Sequence, residues 1–156
     1  MNRSSTLQGI YDAKKAHLRW VKRAKHLVEG LPVDKEFIPL HPTSCIFGKW
    51  LYSKGDILKE ISKTSNIMEE LEKQHNEIHE TYANIYKIFF LLPNNRSFIH
   101  KLFTFNSKQI SKSEKEKAQI YFKQLRRNSE ELIETLDQLE IKINQLEHHE
   151  LGRLFK

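Results

Sequence analysis

Apolar residues recur at steps of three and four along four stretches of this chain, the spacing that gathers them on one face of a helix. Ile10, Ala13, His17, Trp20, Ala24 and Leu27 mark the first, which Gly30, Leu31 and Pro32 stop. The run from Val33 to Ser44, with three prolines counting Pro32, predicts an extended connection that delivers Cys45 to the start of a short helix ending near Ser53, Lys54 and Gly55. The rhythm resumes at Ile57 and passes through Ile61, Thr64, Met68, Leu71, His75, Ile78, Tyr82, Ile85, Phe89 and Leu92, which predicts one long helix halted by Pro93, Asn94 and Asn95. Residues 96–112, with Phe98, Ile99, Leu102, Phe103 and Phe105, predict a short helix or a packed loop. Ser113 and Glu116 then form a capping box opening a last helix with a seam of Ala118, Phe122, Leu125, Ser129, Leu132, Leu136, Leu139, Ile143 and Leu146.

Three long helices and a short one, each with a single apolar stripe, bury those stripes most simply as an antiparallel bundle. The expected fold is therefore all-α, with a bundle over residues 1–147 that includes an apolar connection at 86–112, and a C-terminal tail at 148–156. Composition agrees: five glycines and four prolines among 156 residues leave the chain few points at which to break a helix. The length suits one domain and leaves no room for a second, catalytic one. In the last helix, Ser129 interrupts a seam of leucines as a register-setting polar residue does, so that stripe either closes the bundle or crosses to a second copy of the chain.

Charge narrows the partners. The net charge is +6, but lysines alternate with glutamates along the helices, and no recognition motif accompanies them, so nucleic acid is not an expected partner. The longest apolar run, Ile88 to Leu92, is far short of the roughly 20 residues that cross a bilayer. A single cysteine forms no internal disulfide, and the N-terminus shows no secretion signal, which together point to the cytoplasm.

That cysteine changes the picture. Cys45 lies between His17, on the first seam, and His75 and His79, which stand at i and i+4 on one helix face. Two imidazoles so spaced supply two donors of a tetrahedral zinc ion without backbone distortion, and a thiolate and a third imidazole complete it. The alternative is that each histidine is an ordinary hydrogen-bonded core residue, although several buried nitrogens and a thiol would then each need a separate partner. A di-iron centre lacks its second Glu-x-x-His copy beside Glu72 and His75. A zinc peptidase lacks its base, since Asn76 follows His75 and Glu77 lies about 200° further around the helix. Four protein ligands also leave no position for a substrate, so no enzyme is expected.

The residues carry a family resemblance. His17 with Trp20, the segment Cys45-Ile46-Phe47-Gly48-Lys49-Trp50-Leu51-Tyr52 followed by Gly55, and His75-Asn76-Glu77-Ile78-His79 resemble the chemoreceptor zinc-binding family, CZB. By that resemblance His17, Cys45, His75 and His79 are the Zn2+ ligands. The run His41-Pro42-Thr43-Ser44 before the cysteine departs from the family pattern and leaves His41 as a competing donor.

The resemblance implies a sensory domain of bacterial signalling, in chemotaxis or cyclic-di-GMP control. The stimulus would be zinc itself or an oxidant acting on the metal-bound Cys45, the one oxidisable thiol. Without an attached output the chain is expected to act in trans on a chemoreceptor or a diguanylate cyclase, as a homodimer. The alternative function is a zinc-stapled helical interaction or dimerisation module that senses nothing. Residues 86–112 are either ordinary core or a docking surface, and His148 and His149 are expected to be exposed.

Overall fold

A computed structural model of the chain describes residues 2–91, 110–147 and 150. Among these the α-helices are α1 (Arg3–Val28), α2 (Ile46–Leu51), α3 (Ser65–Tyr86) and α4 (Lys112–Gln145). A π-helical turn, Lys87–Leu91, extends α3, and 3-10 turns occupy Lys35–Phe37, Pro42–Ser44 and Asp56–Glu60. Among the described residues the protein is all-helical, three long helices packed together with a short one, as the apolar spacing predicts. The long apolar connection lies, from 92 to 109, outside the described residues, as do His148, His149 and the end of the tail.

The boundaries of α1 are written in its sequence. Asn2 caps it, its side chain accepting from the Ser5 N–H at 2.9 Å while the Ser5 hydroxyl accepts from the Asn2 N–H at 3.0 Å. At the other end Gly30 adopts φ 82°, where glycine has no side chain to clash. Its N–H donates to the Leu27 carbonyl and that of Leu31 to the His26 carbonyl, a Schellman closure, and Pro32 follows.

α4 runs along both α1 and α3. Its leucines Leu125, Leu132, Leu136 and Leu139 are buried against Ile10 and Leu27 of α1 and Leu71, Ile78, Tyr82 and Ile85 of α3 in one apolar core. Lys14 and Asp137 tie α1 to α4 at the surface. α2 lies on α1 and contributes Phe47 and Leu51 to the interior.

Three details differ from the sequence reading. The long helix does not begin at Ile57. Asp56–Glu60 is a 3-10 turn, Ile61 is extended, and the buried Thr64 hydroxyl donates to the carbonyls of Leu58 and Ile61 at 2.6 and 3.2 Å, closing the turn from which α3 departs at Ser65. Leu58 and Ile61 are still buried there, so the apolar rhythm reports burial rather than helix over this stretch. The Cys45 helix is also shorter than expected, six residues capped by Tyr52. Finally, α4 opens at Ser111 with Glu114, not at Ser113 with Glu116. The same S-x-x-E spacing occurs at both positions, and the earlier box wraps two more residues into the helix.

Candidate metal centre

Cys45 is the N-cap of α2. Its backbone is extended, at φ −75° and ψ 156°, and its Sγ takes the place of the usual hydroxyl or carboxylate cap, accepting from the Gly48 N–H at 3.1 Å. A short helix thus points its free N–H groups at the sulfur. Gly48 is obligatory there: a Cβ built on it would stand 1.7 Å from the Pro42 carbonyl oxygen and 3.1 Å from Cε1 of His75. The close approach that this glycine permits is what brings the loop, α2 and α3 together around the thiol.

His75 and His79 project from one face of α3 into the interior, their rings edge to face at 4.7 Å. Nε2 of His75 lies 3.2 Å from Cys45 Sγ. Its Nδ1 is buried with no hydrogen-bond partner among the described residues. His79 Nδ1–H donates to the Leu40 carbonyl at 2.8 Å, which fixes the tautomer and leaves the Nε2 lone pair free, the arrangement in which metal-ligating histidines are held. The extended connection, predicted only to carry Cys45 into place, therefore also orients a histidine 39 residues away.

The potential ligand atoms of Cys45, His75 and His79 all lie within 4.8 Å of one another, and all three residues are buried. Donors around a tetrahedral zinc stand roughly 3.5 Å apart, given Zn–S near 2.3 Å and Zn–N near 2.0–2.1 Å. One soft thiolate with imidazoles is a donor set that suits Zn2+. The residues fit the ion on the chemistry of the donors.

His17 is buried beside this group but is not part of it. Its Nε2 lies 2.9 Å from Ser129 Oγ of α4, and its ring lies 5.7 Å from that of Phe47. His41 stands outside as an exposed residue, at the N-cap of the Pro42–Ser44 turn. Trp20 covers the group from α1, its ring 5.0 Å from that of His79. Ser129 was visible in the sequence as a polar break in a leucine seam, although not its histidine partner. The Leu40 carbonyl left no signal at all, since any residue carries one.

Burial sets the protonation of the donors. Removal from water pushes His75 down to about 3 and His17 and His79 each to about 4, with neighbouring imidazoles adding to the effect. All three are neutral at pH 7, the form that ligates a metal. Burial also raises the Cys45 thiol, opposed by the backbone N–H groups of α2. A cleft of about 250 Å³ between α1 and α2 has His17, Trp20, Cys45 and Phe47 among its lining, with Arg23 and Lys49 also on its walls.

Residues 17–86 match the model of the chemoreceptor zinc-binding domain, CZB. Over that segment the chain is similar to the chemoreceptor zinc-binding family. The CZB match opens on His17 and closes on the last residue of α3, so it takes in Cys45, His75 and His79 and leaves α4 outside. No curated protein and no solved structure matches the chain. CZB is a zinc-binding domain of chemoreceptor signalling proteins, a binding module rather than a catalytic one. No helix among the described residues is long and apolar enough to cross a membrane.

Proposed function

We propose that this protein is a cytoplasmic sensor of bacterial signalling whose zinc centre uses His17, Cys45, His75 and His79, and that the bundle over residues 1–147 is its working unit, with 148–156 a tail. The observation that carries the reading is the buried Cys45, His75 and His79 group within the CZB segment. The stimulus is an oxidant at Cys45 or zinc availability itself. The response passes in trans, from a homodimer, to a chemoreceptor or diguanylate cyclase.

A bound zinc ion would hold Cys45 as a thiolate despite the burial that otherwise favours the thiol. The chain's own residues supply the rest. Gly48 N–H holds the sulfur at the start of α2, and the Leu40 carbonyl holds His79. The cleft beside Trp20 and Phe47 gives small molecules a way towards Cys45. With hypochlorous acid the sulfur gives up an electron pair and gains the hydroxyl, chlorine leaves as chloride, and Cys45 becomes a sulfenic acid. A neutral sulfenic acid is a poorer donor than a thiolate, so α2 loses its anchor while the histidines stay on α1 and α3. Release of a six-residue helix between irregular segments is the least expensive motion the fold offers.

The test is metal analysis of untagged protein, followed by titration with hypochlorite while zinc release and helicity are recorded. One zinc per chain, released with helicity largely kept, is expected. Unfolding on release would show a staple instead of a sensor, and a Cys45→Ser protein that keeps zinc and answers oxidant like the parent would remove the redox reading.

A further inference from the structure

Ser129 sits at a buried position of α4 in line with Leu125, Leu132 and Leu136, where an aliphatic side chain would fill the seam at no polar cost. Its hydroxyl lies 2.9 Å from Nε2 of His17, itself buried, and 112 residues separate the two. Both α4 and Ser129 lie outside the CZB segment, whose first residue is His17. A buried imidazole offers two nitrogens, and a metal ligand needs one of them as a lone pair while the other N–H is held by a fixed acceptor. His79 has this arrangement through the Leu40 carbonyl. For His17 the hydroxyl of Ser129 stands at the place of such an acceptor.

We infer that Ser129 is a positioning residue of the zinc centre: its Oγ accepts from His17 Nε2–H, fixes that tautomer, and leaves Nδ1 as the atom that ligates the metal. The inference rests on the four-ligand reading above. It makes α4 part of the metal centre, so that the helix with the longest apolar seam is tied by one hydrogen bond to a ligand on α1. It also accounts for a serine in a leucine seam, which serves neither packing nor helix propensity. The hydroxyl stays paired because Ser129 Oγ faces a ring that the metal would orient rather than water.

The experiment compares zinc affinity, by competition with a fluorescent chelator, in the parent, Ser129→Ala, Ser129→Thr and His17→Ala proteins, and records the ring nitrogen shifts of His17 by NMR in the metal-free parent and Ser129→Ala. Expected are a loss of affinity of about 10–100-fold in Ser129→Ala, the range found when a partner of a metal ligand is removed, and near-parent affinity in Ser129→Thr, which keeps the hydroxyl. The parent should show the Nε2–H form of His17, and Ser129→Ala should lose it, a shift that a purely structural role for the serine would not produce. Unchanged or tighter zinc binding in Ser129→Ala, with His17→Ala weakened, would overturn the role of Ser129 alone. Unchanged affinity in both would overturn the four-ligand reading with it. Should Ser129→Ala not fold, the parent spectrum decides: an Nδ1–H form of His17 contradicts the inference.

Discussion

Gly48 is the residue on which the cysteine's position turns. Glycine inside a helix ordinarily costs about 1 kcal/mol relative to alanine, so Gly48→Ala would stabilise an unconstrained α2. Here the added methyl would meet the Pro42 carbonyl at 1.7 Å, a contact with backbone that no side-chain rotation relieves. Gly48→Ala is therefore expected to destabilise by about 1–3 kcal/mol in urea unfolding, the range for overpacked cores, and to weaken zinc binding as Cys45 is displaced. A more stable variant with parent zinc affinity would show that the loop and α2 do not meet so closely. The imidazoles make a second prediction at this scale. Each is pushed below its ordinary value of 6.5, to about 3 or 4, so between pH 6.5 and about 4 the unfolded chain binds protons that the folded one refuses. Metal-free protein should thus be most stable above pH 6.5 and lose stability as pH falls through that window, by up to about 1.4 kcal/mol per pH unit for each histidine, with the His75 share continuing to about pH 3. Urea midpoints between pH 8 and 4 measure this, and a level profile would mean that the histidines are wet.

At the scale of elements, the sequence reading succeeded where one signal had one structural meaning and failed where two structures share a signal. Helix α1 was legible at its C-terminal end because Gly30 can take the positive φ of a helix stop and Pro32 cannot continue a helix, and the pairing of His75 with His79 was legible because residues four apart on a helix share a face. The start of α3 was not, since Ile57 and Ile61 keep the helical step although Thr64 turns the chain through its hydroxyl. The choice between the two S-x-x-E boxes was equally hidden, as both satisfy the same rule until the chain entering α4 is placed. That choice is open to measurement. Ser111 accepts from the Glu114 N–H at 3.2 Å and Glu114 accepts from the Ser111 N–H at 2.8 Å, so Ser111→Ala should cost about 1 kcal/mol in urea unfolding. Ser113→Ala, inside the helix, should cost nothing or stabilise slightly. The reverse order would return the helix start to Ser113.

For the whole molecule, the arrangement of the core decides what loss of the metal does. The contacts of α4 with α1 and α3 run through Leu125, Leu132, Leu136, Leu139 and Ile143, none of which is a donor, and they continue on both sides of His75 and His79 from Met68 to Ile85. Those helices hold each other without the ion. α2 is different: six residues, one helical turn and a half, fastened at its first cap by the sulfur that the ion would share. Zinc bound only to the folded state adds stability by mass action, about 2.7 kcal/mol when free ion stands at 100 times its Kd, and chelation removes that increment everywhere. The local consequence is unequal. After chelation, amides of residues 46–52 should lose their protection to local opening, while those in the middle of α3 and α4 stay protected by the bundle itself and lose at most the roughly 100-fold that the mass-action increment represents. Helicity by circular dichroism should fall only slightly, because α2 is a small part of the helical residues. Uniform loss of protection beyond that along α3 and α4 would mean instead that the ion holds the bundle together, and the six-residue helix would then have no independent motion with which to signal.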